Sequence, residues 1–134
     1  MTEREKMLGG IEYRSRDPEL IELYWRARTL LQEFNASGAC ADRMSRLKQL
    51  VPQMGEGVWV EPPFYCEYGP HMRIGRGTYI NINCFFQDCS TIEIGEHSLI
   101  GPGVQFCTAK HPVDSRQRIR VNEQTGEKIG RAHV

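Results

Sequence analysis

Ile74-Gly75-Arg76-Gly77-Thr78-Tyr79-Ile80-Asn81-Ile82-Asn83-Cys84-Phe85-Phe86, resumed after an interval as Ile94-Gly95-Glu96-His97-Ser98-Leu99-Ile100-Gly101-Pro102-Gly103-Val104-Gln105-Phe106, is the stretch that decides the fold. A large apolar residue returns at every sixth position: Ile74, Ile80 and Phe86 in the first run, Ile94, Ile100 and Phe106 in the second. Glycine follows it at Gly75, Gly95 and Gly101, and a small or modest side chain comes four residues after each repeat start, at Thr78, Cys84, Ser90, Ser98 and Val104. Val60, Cys66 and Met72 form a weaker set with the same spacing. A period of six matches no α-helix, and ordinary antiparallel strands with glycine turns would alternate with period two, which appears here only in fragments. A hexad makes sense as one short strand plus one turn. The apolar residue points into a narrow prism, the small residue fits the corner, and glycine permits backbone conformations that side chains forbid. Three hexads make one triangular coil, and coils stack by parallel strand pairing. The expected fold is therefore mainly β, a parallel β-helix. Its phase slips by two residues between Phe86 and Ile94, which predicts a bulge or short loop near Cys89–Thr91.

Upstream the chain reads as helix, dividing it into a helical segment over 1–55 and a hexapeptide-repeat segment over 56–134. Asp17-Pro18-Glu19 is a helix start, with an N-cap acid, proline at the first helical position and an acid in the first turn. Leu20, Leu23, Tyr24, Ala27, Leu30, Leu31 and Phe34 mark one apolar face, and Asn35-Ala36-Ser37-Gly38 stops it. A second helix is predicted from about Ala41 to Leu50, ended by Pro52, and a short one over Thr2–Leu8 before Gly9-Gly10.

The 134 residues carry 17 basic and 17 acidic side chains, so no net field draws in nucleic acid or an anionic membrane. No apolar run approaches the roughly 20 residues that span a bilayer, and the charged start Met1–Lys6 lacks the apolar core of a signal peptide. The expectation is a cytoplasmic protein whose five cysteines, Cys40, Cys66, Cys84, Cys89 and Cys107, are reduced thiols.

Several strings taken together are specific: Glu5-Lys6-Met7-Leu8 with Tyr13-Arg14-Ser15, Arg26-Ala27-Arg28 with Glu33-Phe34-Asn35, and Glu61-Pro62-Pro63-Phe64-Tyr65-Cys66-Glu67-Tyr68-Gly69. Asn81-Ile82-Asn83-Cys84, Ile94-Gly95 to Ile100-Gly101-Pro102, and Thr108-Ala109-Lys110-His111-Pro112 follow in order. The chain, up to about Lys128, resembles the maltose and galactoside O-acetyltransferases and their relatives that acetylate nodulation oligosaccharides. That resemblance implies a left-handed parallel β-helix behind a helical segment, and a homotrimer with active sites between subunits. It also implies transfer of an acetyl group from acetyl-CoA to the hydroxyl of a sugar or oligosaccharide acceptor.

The resemblance also distributes roles. His111 matches the catalytic histidine of the family's Thr-Ala-x-His-Pro motif. A sugar hydroxyl is a poor nucleophile until a base takes its proton, and imidazole, with a pKa of about 6.5, can take it and return it to the leaving thiolate. Asn81 matches an asparagine whose amide helps bind the acceptor and steady the developing oxyanion. Asp88 falls at an acidic position suited to orienting His111 or binding a sugar hydroxyl. Tyr79 and Glu67 fall near the acceptor, Glu67 in place of a shorter side chain. From the helical segment the family brings an acid and an arginine to the sugar; Ser15 and Tyr24 align there directly, and Asp17 and Arg26 stand two residues further on.

Metal chemistry is not expected. Cys84 and Cys89 with His97 are not a chelating spacing, and His71, His97, His111 and His133 are scattered. The Gly-x-Gly pairs at Gly75–Gly77 and Gly101–Gly103 belong to the hexads, and the basic run Arg116–Arg120 reads as a solvated loop rather than a clamp for CoA phosphates. A new hexad is expected to begin at Ile129-Gly130, after which family members continue into the coils that hold most of the donor. An alternative class therefore stands beside the enzyme: a shortened, inactive homologue that only self-associates or binds an acceptor.

Overall fold

Helices come first and strands after, and the reason lies in local chemistry. In the computed structural model, which describes residues 1–38, 41–121, 124 and 128–130, α1 spans Glu3–Leu8, α2 Pro18–Asn35 and α3 Arg43–Leu50. Thr2 caps α1 in a reciprocal capping box with Glu5, and Asp17 caps α2 by accepting from the Glu19 N–H at 3.2 Å, with Pro18 at the first position. The apolar stripe of α2 turns Leu20, Ala27, Leu31 and Phe34 inward, and Leu47 and Leu50 of α3 meet it.

Eight strands then wind into three parallel faces. The first face is β1 (Trp59–Val60), β4 (Tyr79–Ile80) and β7 (Leu99–Ile100). The second is β2 (Phe64–Cys66), β5 (Cys84–Gln87) and β8 (Gln105–Cys107). The third is β3 (Met72–Ile74) and β6 (Ile92–Ile94), with Met54 bridging to Ile74. Successive partners stand twenty residues apart: Val60 with Ile80 and Ile80 with Ile100, Cys66 with Phe86 and Phe86 with Phe106, Ile74 with Ile94. The parallel β-helix is thus present, but its coil is twenty residues long. The two-residue slip recurs in every coil, at 67–71 as well as 87–91. The set Val60, Cys66 and Met72 is corrected accordingly: the third member of that coil is Ile74, and Met72 is a second inward residue of the same strand, paired with Ile92.

The prism is filled by stacked rungs. Phe64 and Phe86 lie 5.3 Å apart between ring centres, and Phe86 and Phe106 4.7 Å. Full burial, which Phe64 and Phe86 reach and Phe106 approaches in part, contributes on the order of 2 kcal/mol per side chain. The small corner residues Thr78 and Cys84 are fully buried, and the Thr78 hydroxyl donates to the Gly95 carbonyl at 2.9 Å, tying one coil to the next. Phe34, Leu47, Leu50 and Val51 close the first coil from the helical side. Gly69, at φ +101°, lies so close to the Leu50 side chain and carbonyl that no Cβ fits between them.

Beyond the coils, α4 (Ser115–Arg118) leads to β9 (Ile119–Val121), which pairs antiparallel with β10 (Lys128–Gly130). Ile129-Gly130 therefore belongs to a hairpin, where a further hexad was expected. Cys40, His133 and the string Arg131–Val134 lie outside the described residues.

Candidate active site

The corner between the second and third faces is where the coil carries its two extra residues, and loops 67–71, 87–91 and 107–111 stack there one above another. Asp88 organises this corner. It is fully buried, and its carboxylate accepts the backbone N–H groups of Tyr68 at 2.8 Å, Gly69 at 2.7 Å and His71 at 3.3 Å. Both oxygens are taken up by the neighbouring loop, so Asp88 is neither an exposed turn aspartate nor open to a sugar hydroxyl. The next loop is fastened in turn. The Thr108 hydroxyl donates to the Gln87 carbonyl and accepts the Ser90 N–H at 3.0 Å, and the Ala109 N–H donates to Gln87 Oε1 at 3.3 Å. His111 stands two residues further on, exposed.

A second apolar cluster joins the helical unit to this corner: Met7, Tyr13, Leu20, Tyr68 and Cys89, with Leu23, Tyr24 and Ala109 against it. Beside it opens a cavity of about 610 Å³ lined by Ser15, Arg16, Leu20, Ile21, Tyr24, Trp25, Glu67 and Tyr68. Glu67 is half-buried there, 3.6 Å from Arg28 Nη2. Burial pushes its carboxyl above the usual range, the Asp88 charge adds to this, and Arg28 offsets part of it. Burial also lifts the Cys89 thiol to about 12, with Glu67 and Asp88 contributing, so this cysteine is an inert wall rather than a nucleophile. Arg28 donates to the Cys66 carbonyl at 2.7 Å and lies 4.3 Å above the Tyr24 ring, which fixes the helix against the corner.

The residues expected from the sequence divide by place. Glu67 is in the cavity, and Ala109, two residues before His111, packs against the apolar cluster that includes Tyr68 of its wall. Asp17 and Arg26 are elsewhere. Asp17 is spent on capping α2 and lies 3.8 Å from Arg14 Nη2, while Arg26 donates to the Gln49 carbonyl at 2.9 Å. Ser15 and Tyr24, the directly aligned positions, line the cavity instead. Tyr79 lies on the first face and Asn81 directly after it, where the first face turns into the second. Tyr79 is the middle of an outward column with Trp59 and Leu99. The Asn81 side-chain oxygen accepts the Ile82 N–H at 2.8 Å. Along one chain, Asn81 precedes β5 and His111 follows β8, so the width of a face separates their loops. Sequence reasoning passed over Trp25, 64% exposed and off the apolar stripe of α2, which was itself the available signal. Among the described residues no three His, Cys, Asp or Glu side chains are placed to hold a metal ion, and no helix is long and apolar enough to cross a membrane.

A helix-capped parallel β-helix with a polar-and-aromatic cavity at its irregular corner defines the class: a hexapeptide-repeat protein with a capping unit. Residues 6–55 match the maltose acetyltransferase hexapeptide capping motif. Nodulation protein L of Rhizobium meliloti (strain 1021) is 37% identical over 132 residues, which cover 97% of this chain and 69% of that protein. A hexapeptide-repeat acetyltransferase of Vibrio cholerae O1 biovar eltor, solved with acetyl coenzyme A, superposes with a TM-score of 0.81 at 40% identity, over 97% of this chain and 68% of its own. A maltose O-acetyltransferase from Clostridium difficile 630 gives 0.84 at 33% identity, over 97% and 68%. The chain belongs to this family of hexapeptide-repeat acetyltransferases, related to the maltose and galactoside O-acetyltransferases.

Proposed function

We propose that the chain is a subunit of an acetyl-CoA-dependent O-acetyltransferase, built on a left-handed coil, that acetylates a hydroxyl of a sugar or oligosaccharide with His111 as general base. The observation that carries this reading is the fastening of the His111 loop, through Thr108 and Ala109, to the corner that walls the cavity of Glu67, Ser15, Tyr24 and Trp25. Such a cavity suits a carbohydrate: aromatic rings offer faces for C–H surfaces, and a carboxylate, a hydroxyl and a guanidinium offer hydrogen bonds. His111 takes the proton of the acceptor hydroxyl as its oxygen attacks the thioester carbonyl. The C–S bond then breaks, and the proton passes from the imidazolium to the leaving thiolate. Asn81 and Tyr79 complete the site from a neighbouring copy, because the first face and its corner with the second are separated by the width of a face from the chain's own cavity; this favours a homotrimer with sites between subunits.

The test is acceptor-dependent release of free thiol from acetyl-CoA over a panel of mono- and oligosaccharides. Release is expected with at least one sugar. His111→Ala should lower kcat by about 10²–10⁴-fold while the circular dichroism spectrum and oligomer size stay unchanged. Thiol release that no sugar stimulates, or full activity in His111→Ala, defeats the reading.

A further inference from the structure

His71 takes no part in the reaction as described, yet it is only 7% exposed and held at both ring nitrogens. Nδ1 lies 2.8 Å from the Asp88 carbonyl oxygen, a contact that requires a proton on Nδ1. Nε2 accepts from Arg4 Nε at 3.1 Å, so it carries none. The two contacts together define a neutral imidazole with its proton on Nδ1. Arg4 reaches on to Glu19 Oε1 at 3.3 Å. One ring therefore links α1, α2 and two stacked corner loops.

The cavity wall hangs on that link. Glu3 of α1 accepts the Arg14 N–H at 2.6 Å, and Met7 of α1 packs with Tyr13 in the second cluster. The segment that follows carries Ser15 and Arg16, which face Glu67 and Tyr68 across the cavity. We infer that His71 is a positioning residue for the acceptor: neutral, it latches α1 and the Ser15–Arg16 wall onto the corner that bears Glu67, and on taking a proton it releases them and weakens acceptor binding. This rests on the acceptor reading of the cavity.

The added proton has one place to go, Nε2, where it would point at the Arg4 guanidinium and replace an accepted hydrogen bond by repulsion. The charged and titratable groups facing the ring are Arg4 from α1, Glu19 from α2, Asp88 from the adjoining corner, Tyr68 with its ring 5.5 Å away, and Arg73 across a shallow hollow of about 190 Å³. Burial is the largest influence and keeps His71 below its usual 6.5; Asp88 and Glu19 pull the other way, and Arg4 sides with burial.

The experiment is amide hydrogen exchange of residues 3–16 in the full chain from about pH 7.5 to about pH 5, corrected for intrinsic rates, alongside acceptor KM over the same range. In the wild type the opening of this segment should grow by up to about tenfold per pH unit below about 6.5, with acceptor KM rising in step and acetyl-CoA KM constant. His71→Gln keeps an oxygen for Arg4 but cannot titrate, so the exchange curve should be flat and acceptor KM should keep only the pH dependence that Glu67 of the cavity supplies. Arg4→Gln leaves the corner intact and should open the segment already at neutral pH, which keeps the test decisive if His71→Gln folds badly. Flat exchange in the wild type, an unchanged pH dependence in His71→Gln, or an Arg4→Gln chain as closed as the wild type overturns the latch. A working latch with a pH-independent acceptor KM overturns the positioning role. Absence of any acetyl transfer overturns the acceptor reading and that role with it, while exchange still decides the latch.

Discussion

Replacing Asp88 by alanine should be among the most damaging single changes to this fold, and the size of the effect follows from the geometry. The carboxylate takes three backbone N–H groups, two at 2.7–2.8 Å and one at 3.3 Å, in a place without solvent access. Each donor left buried and unpaired costs about 1–3 kcal/mol, the long bond at the lower end. Relief from burying a charge offsets part of the loss. The net expectation is about 3–5 kcal/mol, a large share of the 5–15 kcal/mol of a typical domain. Asp88→Asn keeps one acceptor oxygen but turns an NH₂ group toward N–H donors, so it should recover only part of the loss. Urea unfolding followed by far-ultraviolet circular dichroism measures this, at fixed protomer concentration because association adds to stability. With a slope of about 2 kcal/mol per molar, the midpoint should fall by roughly 2 M. A shift under about 0.5 M would mean that loop 67–71 is held by its packing alone and that Asp88 is not its staple.

Two further changes probe the coil and the cavity. Gly77, at φ +69°, lies under the His97 ring, so the Cβ of Gly77→Ala would run into it; His97 itself sits at φ +52°, one coil on from Gly77. Gly77→Ala should destabilise by about 2 kcal/mol or more in the wild type and clearly less in a His97→Gly background, and additivity of the two in denaturant titrations would refute that contact. Glu67→Gln should raise acceptor KM while slightly raising stability. A carboxyl whose folded pKa is raised loses stability as pH climbs from its unfolded to its folded pKa, and glutamine does not, so the difference in the variant's favour should widen across that window. A less stable variant with unchanged KM would make Glu67 merely the ion-pair partner of Arg28.

The helices were legible because their signals are local. Asp17-Pro18 fixes one start by a hydrogen bond within one turn, and α2 begins there; the capping box of Thr2 with Glu5 at α1 is an equally local signal that emerged only with the structure. The prism was legible because its inward residues repeat without reference to any partner. The coil length was misjudged at the one place where sequence offers a choice: Met72 and Ile74 both face inward, and only pairing across the stack, Ile74 with Met54 and Ile94, says which is the rung. Asp17 and Arg26 stand apart from the cavity for a related reason. Residue type suggested sugar contacts, but a cap bond to Glu19 and a bond to the Gln49 carbonyl had already claimed them.

The irregularity of the repeat is where the cavity forms. A strict hexad leaves every corner tight, with a small residue and no loop to shape a site. Two extra residues at one corner of each coil supply a loop, and each added loop brings buried N–H groups that need an acceptor. Asp88 meets that need for loop 67–71 and so sets the backbone from which Glu67 and Tyr68 face the cavity. Thr108 and Gln87 do the same one coil on, below His111. Cavity wall, staple and the loop that carries His111 thus fall in the same column, where the period departs from six. In a β-helix the regular positions define the scaffold, and a break that recurs with the coil is the better place to look for function than any motif within a hexad.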